Sequence, residues 1–257
     1  MKKILIIGDS WGWGEWDLRC SPGYTSSHYG LMKYLEDEGN EVINLSISAG
    51  NLYQTIDMLT HTKGTGKLKT FDYTFCFVTD ATRHYHHPGF WEISNTRERA
   101  LMFQNEILED FYTQLNSFNI KIGLIGGLSK LRKEQVEKFD NLTCITESMI
   151  ELVQPHLKQW DVFYEEQLKF IPDNLSNEYI DYVEKQVKLW DDIKKNNLIF
   201  CNDNRHPNRA AHFILKEHIR FLPNPDTDCL FRKRIDTDSQ TRDFFEQIKY
   251  IKDNLVN

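Results

Sequence analysis

Ile4-Leu5-Ile6-Ile7 is an uninterrupted apolar run of high β propensity, and Gly8-Asp9-Ser10 stops it abruptly. A short strand that is apolar at every position is buried on both faces, which requires a parallel sheet covered by helices. The residue just past the carboxyl end of such a strand lies where open α/β sheets place their ligands. Here that residue is Ser10. Taken alone, Asp9-Ser10 is also an ordinary turn or helix N-cap pair. The rest of the chain decides between the two.

The pattern that follows repeats strand and helix. Residues 11–30, with Trp11, Trp13, Trp16 and four glycines, read as a loop, and residues 25–38 as an amphipathic helix with Leu31, Tyr34 and Leu35 on one face. Further strands are expected at 41–47, 71–78, 120–125, 142–145 and 198–201. Further helices are expected at 52–59, 97–118, 129–138, 148–158, 177–196, 207–221 (with Pro207 in the first turn) and 238–255. Residues 61–66 read as a polar connection, 79–90 as a loop dense in polar groups, and 222–234 as a break carrying two prolines. This alternation predicts an α/β fold, a three-layer α/β/α sandwich with a mainly parallel central sheet. One main domain is expected over 1–221, with residues 222–257 as an extension ending in a helix. That terminal helix is a candidate surface for homo-oligomer formation.

Composition narrows the function. With 38 acidic against 31 basic residues, a net charge of −7 and a pI near 5.7, the chain lacks the basic footprint of a general nucleic-acid binder. No apolar run approaches a membrane span, and the N-terminal run is too short for a signal peptide. The five cysteines (Cys20, Cys76, Cys144, Cys201, Cys229) are scattered and lack any CxxC spacing, as expected of reduced thiols in a cytoplasmic protein without a zinc site. His84, His86 and His87 have no carboxylate or cysteine spaced to complete a metal site. Neither a metal nor a cofactor is expected.

The second informative stretch is Asp203-Asn204-Arg205-His206-Pro207, which follows one predicted strand and precedes a helix, on the same rim as Ser10. Asp203 and His206 stand three apart across a turn. A carboxylate at that spacing reaches one imidazole nitrogen, fixes the tautomer, and leaves the other nitrogen to take a proton from a hydroxyl. A serine early in the chain, with aspartate and histidine late and adjacent, is a known order for such a triad.

With these blocks the chain resembles the SGNH (GDSL-type) hydrolase family over about residues 3–215. The resemblance puts the family's nucleophile on Ser10, within Ile6-Ile7-Gly8-Asp9-Ser10, and its acid and base on Asp203 and His206. It implies the flavodoxin-like fold of that family. The family's Asn-Leu-x-x-x-Gly segment is similar to Asn44-Leu45-Ser46-Ile47-Ser48-Ala49-Gly50-Asn51. The backbone N–H that helps bind the oxyanion then falls on Ala49 without a gap, or on Gly50 with a shift of one. The third block departs from the pattern. Where the family carries Gly-x-Asn-Asp, with the asparagine as an oxyanion donor, this chain has Thr79-Asp80-Ala81-Thr82-Arg83. Thr79 or Thr82 offers a hydroxyl in its place. Arg83 offers a charge-assisted bond, an anchor for an anionic substrate group, or simply a partner for Asp80.

The resemblance implies a serine esterase or deacetylase whose oxyanion donors are Ser10, Ala49 or Gly50, and Thr79. Its substrate contacts are expected at Trp11, Asn51, Asp80, Thr82 and Arg83. The partner is a small-molecule or glycan acyl ester, not a nucleic acid or a membrane. Two alternatives stand beside it: an acyltransferase using the same triad, and a catalytically impaired binding or structural protein that keeps the fold.

Overall fold

Ile4 to Gly8 are all buried, and the strand they form, β1 (Lys3–Gly8), lies inside a five-stranded sheet. In the computed structural model the described residues are 1–17, 25–79, 81, 97–127, 130–153, 206–222 and 224–231. On one side β1 pairs with β4 (Glu41–Asn44) and on the other with β5 (Tyr73–Val78). Beyond β5 lie β6 (Ile122–Gly126) and β7 (Leu142–Thr146), and every pairing is parallel. The order is β4-β1-β5-β6-β7.

Successive residues of a strand point to opposite faces, so the apolar runs feed two cores. Ile4 and Ile6 of β1, with Tyr73, Phe75 and Phe77 of β5, pack under α2 (Gly30–Asp37), α6 (Met149–Val153) and α7 (Arg209–Phe221). Leu5 and Ile7, with Cys76 and Val78, pack under α3 (Leu52–Gly64) and α4 (Arg97–Asn116). Each fully buried side chain of this kind stabilises the fold by roughly 1.5–3 kcal/mol. The result is the three-layer α/β/α arrangement expected of strands apolar on both faces.

The chain leaves β1 toward β4 through α2, and leaves β5 in the other direction toward β6 through α4. The direction of winding therefore reverses between β1 and β5, and the crevice at their carboxyl ends is the topological switch point where such sheets bind ligands. Ser10 lies at that point.

Several expectations need correction. Within the stretch 11–30 expected to be a loop, the described residues 11–17 and 25–30 carry regular structure. Ser10–Trp13 form a short helix, α1, followed by an antiparallel hairpin of β2 (Glu15–Asp17) and β3 (Thr25–His28). The helix expected over 25–38 accordingly begins only at Gly30. Ser26 explains why: its hydroxyl donates to the carbonyls of Glu15 and His28, an alternative to helical bonding that small polar residues favour. The second strand stops at Asn44, because Asn44 turns its side chain back onto the backbone of Ser46. Helix α3 runs on through His61 to Gly64, where a polar connection was expected. Pro207 precedes α7 and lies outside its first turn, since Asn208 is the N-cap, accepting from the N–H groups of Ala210 and Ala211. Within the stretch expected to break away after residue 221, Pro225–Asp228 form one helical turn, α8. A short helix α5 (Lys133–Val136) lies within the segment expected to be helical at 129–138.

The strand expected at 198–201 and the helices expected at 177–196 and 238–255 lie outside the described residues. So do Asp80, Thr82, Arg83, His84, His86, His87 and Asp203, together with Cys20 and Cys201. Cys76, Cys144 and Cys229 are free thiols, and burial pushes Cys144 up to about 12. Among the described residues no helix is long and apolar enough to cross a membrane.

Candidate active site

Gly8 makes the turn that delivers Ser10. Its φ is +130°, and a Cβ there would sit 2.2 Å from the Phe77 carbonyl oxygen, so only glycine fits between β1 and β5. Asp9 then caps α1, its carboxylate accepting the Trp11 N–H at 2.9 Å. Gly12 is needed for a different reason, close approach: a Cβ would lie 2.4 Å from Ser46 Oγ and 2.9 Å from the Phe77 ring. These constraints hold Ser10 at the first position of α1, 2% exposed.

His206 enters from the other end of the chain, three residues ahead of α7. Its Nε2 lies 2.8 Å from Ser10 Oγ. Thus the serine and histidine singled out from the sequence, 196 positions apart, are brought into direct hydrogen-bond contact. At that distance an imidazole with its proton on Nδ1 can accept the serine hydroxyl proton. Asp203, expected on Nδ1, is among the residues not described.

Past the carboxyl ends of the strands, some polar groups have no hydrogen-bond partner among the described residues. Among the described residues no acceptor receives the Ser10 N–H or the Ala49 N–H. The Gly50 N–H is different: it is used by the Ile47 carbonyl at 2.9 Å, closing the turn that puts Ala49 at φ +56°. Thr79 is 3% exposed, and its hydroxyl has no hydrogen-bond partner among the described residues. Gly8 pairs with Phe77 across the β1–β5 ladder, so Thr79 stands two residues past its paired position, as Ser10 does on its own strand. A buried, unpartnered hydroxyl costs about 1–3 kcal/mol.

Two expected substrate contacts turn out to have structural work. Trp11 is 3% exposed and belongs to the core. Asn51 is the N-cap of α3 in a reciprocal capping box with Gln54: Asn51 Oδ1 accepts the Gln54 N–H at 3.0 Å, and Gln54 Oε1 accepts the Asn51 N–H at 2.9 Å. The Trp16 ring centroid is 5.6 Å from the His206 imidazole, and Trp13 stacks on Trp16 at 6.1 Å.

Sequence reasoning also missed three polar residues. Asn44 Nδ2 donates to the Gly12 carbonyl at 2.8 Å while its Oδ1 accepts from Ser46 N–H, so one side chain joins α1 to the loop carrying Ala49. Glu15 and Arg209 form a bidentate ion pair, with Arg209 Nε on Oε2 at 2.7 Å and Nη2 on Oε1 at 3.0 Å. The position of Asn44 in the second block was the only local signal for any of them. Among the described residues no group of three or more metal-ligating side chains comes together.

No protein-family model matches the chain, and no curated protein matches it. Solved structures similar to it include TesA (16% identity, 90% of this chain and 100% of that one, TM-score 0.41). Another is the acetyl-xylooligosaccharide esterase Axe2 from Geobacillus (16% identity, 91% and 97%, TM-score 0.39). A third is a GDSL-like lipase from Parabacteroides merdae (14% identity, 84% and 93%, TM-score 0.36).

Proposed function

We propose that the protein is a serine hydrolase of the SGNH type that cleaves acyl esters, with Ser10 as nucleophile and His206 as general base. The observation that carries this reading is the 2.8 Å contact between Ser10 Oγ and His206 Nε2 at the switch point of the sheet. In the first step Ser10 Oγ attacks the ester carbonyl as its proton passes to Nε2. The carbonyl oxygen becomes an oxyanion held by the Ser10 N–H, the Ala49 N–H and the Thr79 hydroxyl. Collapse breaks the bond to the alcohol, which leaves with the proton from Nε2. Water then repeats the sequence on the acyl-enzyme and releases the acid. Asp203 orients His206 and stabilises its charged form.

Ala49 is preferred to Gly50 because the Gly50 N–H is already occupied. Thr79 takes the role that asparagine has in the family, which its buried, unpartnered hydroxyl supports. The test is a panel of p-nitrophenyl acetate, butyrate and longer esters alongside acetylated sugars, each run with Ser10→Ala. The reading expects turnover that Ser10→Ala abolishes without loss of fold. Turnover that survives the substitution refutes it.

A further inference from the structure

Ser10 and His206 come from opposite ends of the chain, and something must hold them in register. The hairpin that follows Ser10 touches both. At its start, Glu15 Oε2 accepts two hydrogen bonds from Arg209, one from the backbone N–H at 2.7 Å and one from Nε at 2.7 Å, while Oε1 accepts Nη2 at 3.0 Å. Arg209 is the first residue of α7, three beyond His206. The carboxylate therefore grips the main chain of the His206 segment as well as a side chain on it. Both partners are largely withdrawn from solvent, at 13% and 20% exposure, so water screens the pair weakly. Tyr34 Oη adds a donor to the Arg209 carbonyl at 3.0 Å.

The next residue completes the link. Trp16 Nε1 donates to the Ser10 carbonyl at 3.0 Å, and the ring of the same side chain lies 5.6 Å from the His206 ring at an interplanar angle of 49°. One indole thus touches the nucleophile's backbone and the base's ring.

We propose that Glu15 and Trp16 are positioning residues that hold His206 Nε2 on Ser10 Oγ, with Arg209 as the point where the hairpin grips the histidine segment. This rests on the reading that Ser10 and His206 are the reacting pair. A buried ion pair is poor evidence of stability in itself, because desolvation offsets much of its attraction. What a bidentate carboxylate–guanidinium pair supplies is a defined geometry. Reacting groups need that definition, since a displacement of about 1 Å can cost on the order of 100-fold in rate.

The test uses the full chain with Glu15→Gln, Arg209→Lys and Trp16→Phe, measuring the rate of fluorophosphonate labelling at Ser10, kcat and KM for p-nitrophenyl acetate, and Tm. Leu142→Ala, a core substitution on β7, serves as the control for lost stability. Glu15→Gln removes the charge but keeps the shape. Trp16→Phe keeps a ring against His206 but removes the donor to Ser10. Both are expected to lower the labelling rate and kcat by about 10–100-fold, with KM within twofold, and Arg209→Lys is expected to fall between them and wild type. Leu142→Ala is expected to lower Tm and leave kcat unchanged. If one variant fails to fold, the other two carry the comparison. Folded variants that label and turn over at the wild-type rate overturn the proposal, as does a loss of kcat that Leu142→Ala reproduces at equal loss of Tm. Wild-type protein that does not label at Ser10 overturns the underlying reading instead.

Discussion

Acid should destabilise this protein through His212. The residue lies on α7, fully buried, with the Phe77 ring 6.0 Å away. Neither ring nitrogen has a hydrogen-bond partner among the described residues. Burial first, and the charge of His28 second, push its pKa from 6.5 down to about 3. Below pH 6.5 the unfolded chain therefore binds a proton that the folded protein refuses. The contribution to stability is fully present above pH 6.5 and is lost as the pH falls from there toward 3. Between pH 8 and pH 5 the difference amounts to about 1.5 pH units at 1.36 kcal/mol each, about 2 kcal/mol. His28 and His218 are shifted down as well, both mainly by burial, and add to the same trend. The His212→Leu variant separates them. It removes the titrating group and the two unsatisfied nitrogens while keeping an apolar side chain of similar bulk. Urea unfolding at pH 8 and pH 5 is the assay. Wild type should lose about 2 kcal/mol more than His212→Leu between the two conditions. Equal losses in the two proteins would refute the reasoning, since they would mean that His212 takes up its proton alike in the folded and unfolded states.

Other expectations concern the site. Thr79→Val should lower kcat by about 10²–10³-fold if the hydroxyl is an oxyanion donor, while thermal melting shows stability unchanged or slightly raised because an orphaned polar atom is gone. Gly8→Ala should cost about 1–3 kcal/mol from backbone strain alone, read as a fall of several degrees in Tm, because φ is +130° and the Phe77 carbonyl blocks a Cβ. Asp203→Asn should leave the fold intact and lower kcat by about 10⁴-fold, as expected when the base loses the carboxylate that sets its tautomer; stopped assays on acetyl esters would measure it.

Much of the sheet was legible because its strands are buried on both faces. Ile4-Leu5-Ile6-Ile7 carries no polar interruption, the run ending at Val78 carries only Thr74 within its strand, and no surface helix could bury every one of those side chains. Ser10 and His206 were legible for a related reason, each being placed just outside a strand or helix whose ends are marked by glycine or proline. The hairpin was not. Its first strand is three residues long, its partner carries Thr25, Ser26 and Ser27, and the pairing that stabilises them lies outside any local periodicity. Glu15 and Arg209 are 194 residues apart, and no spacing rule connects them. Asn51 has a structural role that its sequence position did not suggest. A polar residue beside the expected oxyanion loop looked like a ligand contact, yet the start of a helix needs a cap, and Asn51 supplies it. Trp11 shows the same for an aromatic: adjacency to the nucleophile in sequence put it into the core, while Trp16, five residues further on, reaches His206.

The central claim is that Ser10 is a nucleophile made reactive by His206, and a fluorophosphonate probe tests it most directly. The reagent reacts with activated serines and not with ordinary hydroxyls, and mass spectrometry of the labelled protein locates the adduct. The account predicts one adduct per chain, on Ser10, lost in Ser10→Ala and strongly slowed in His206→Ala. Folded wild-type protein that carries no adduct on Ser10, or that labels equally well without His206, would contradict it.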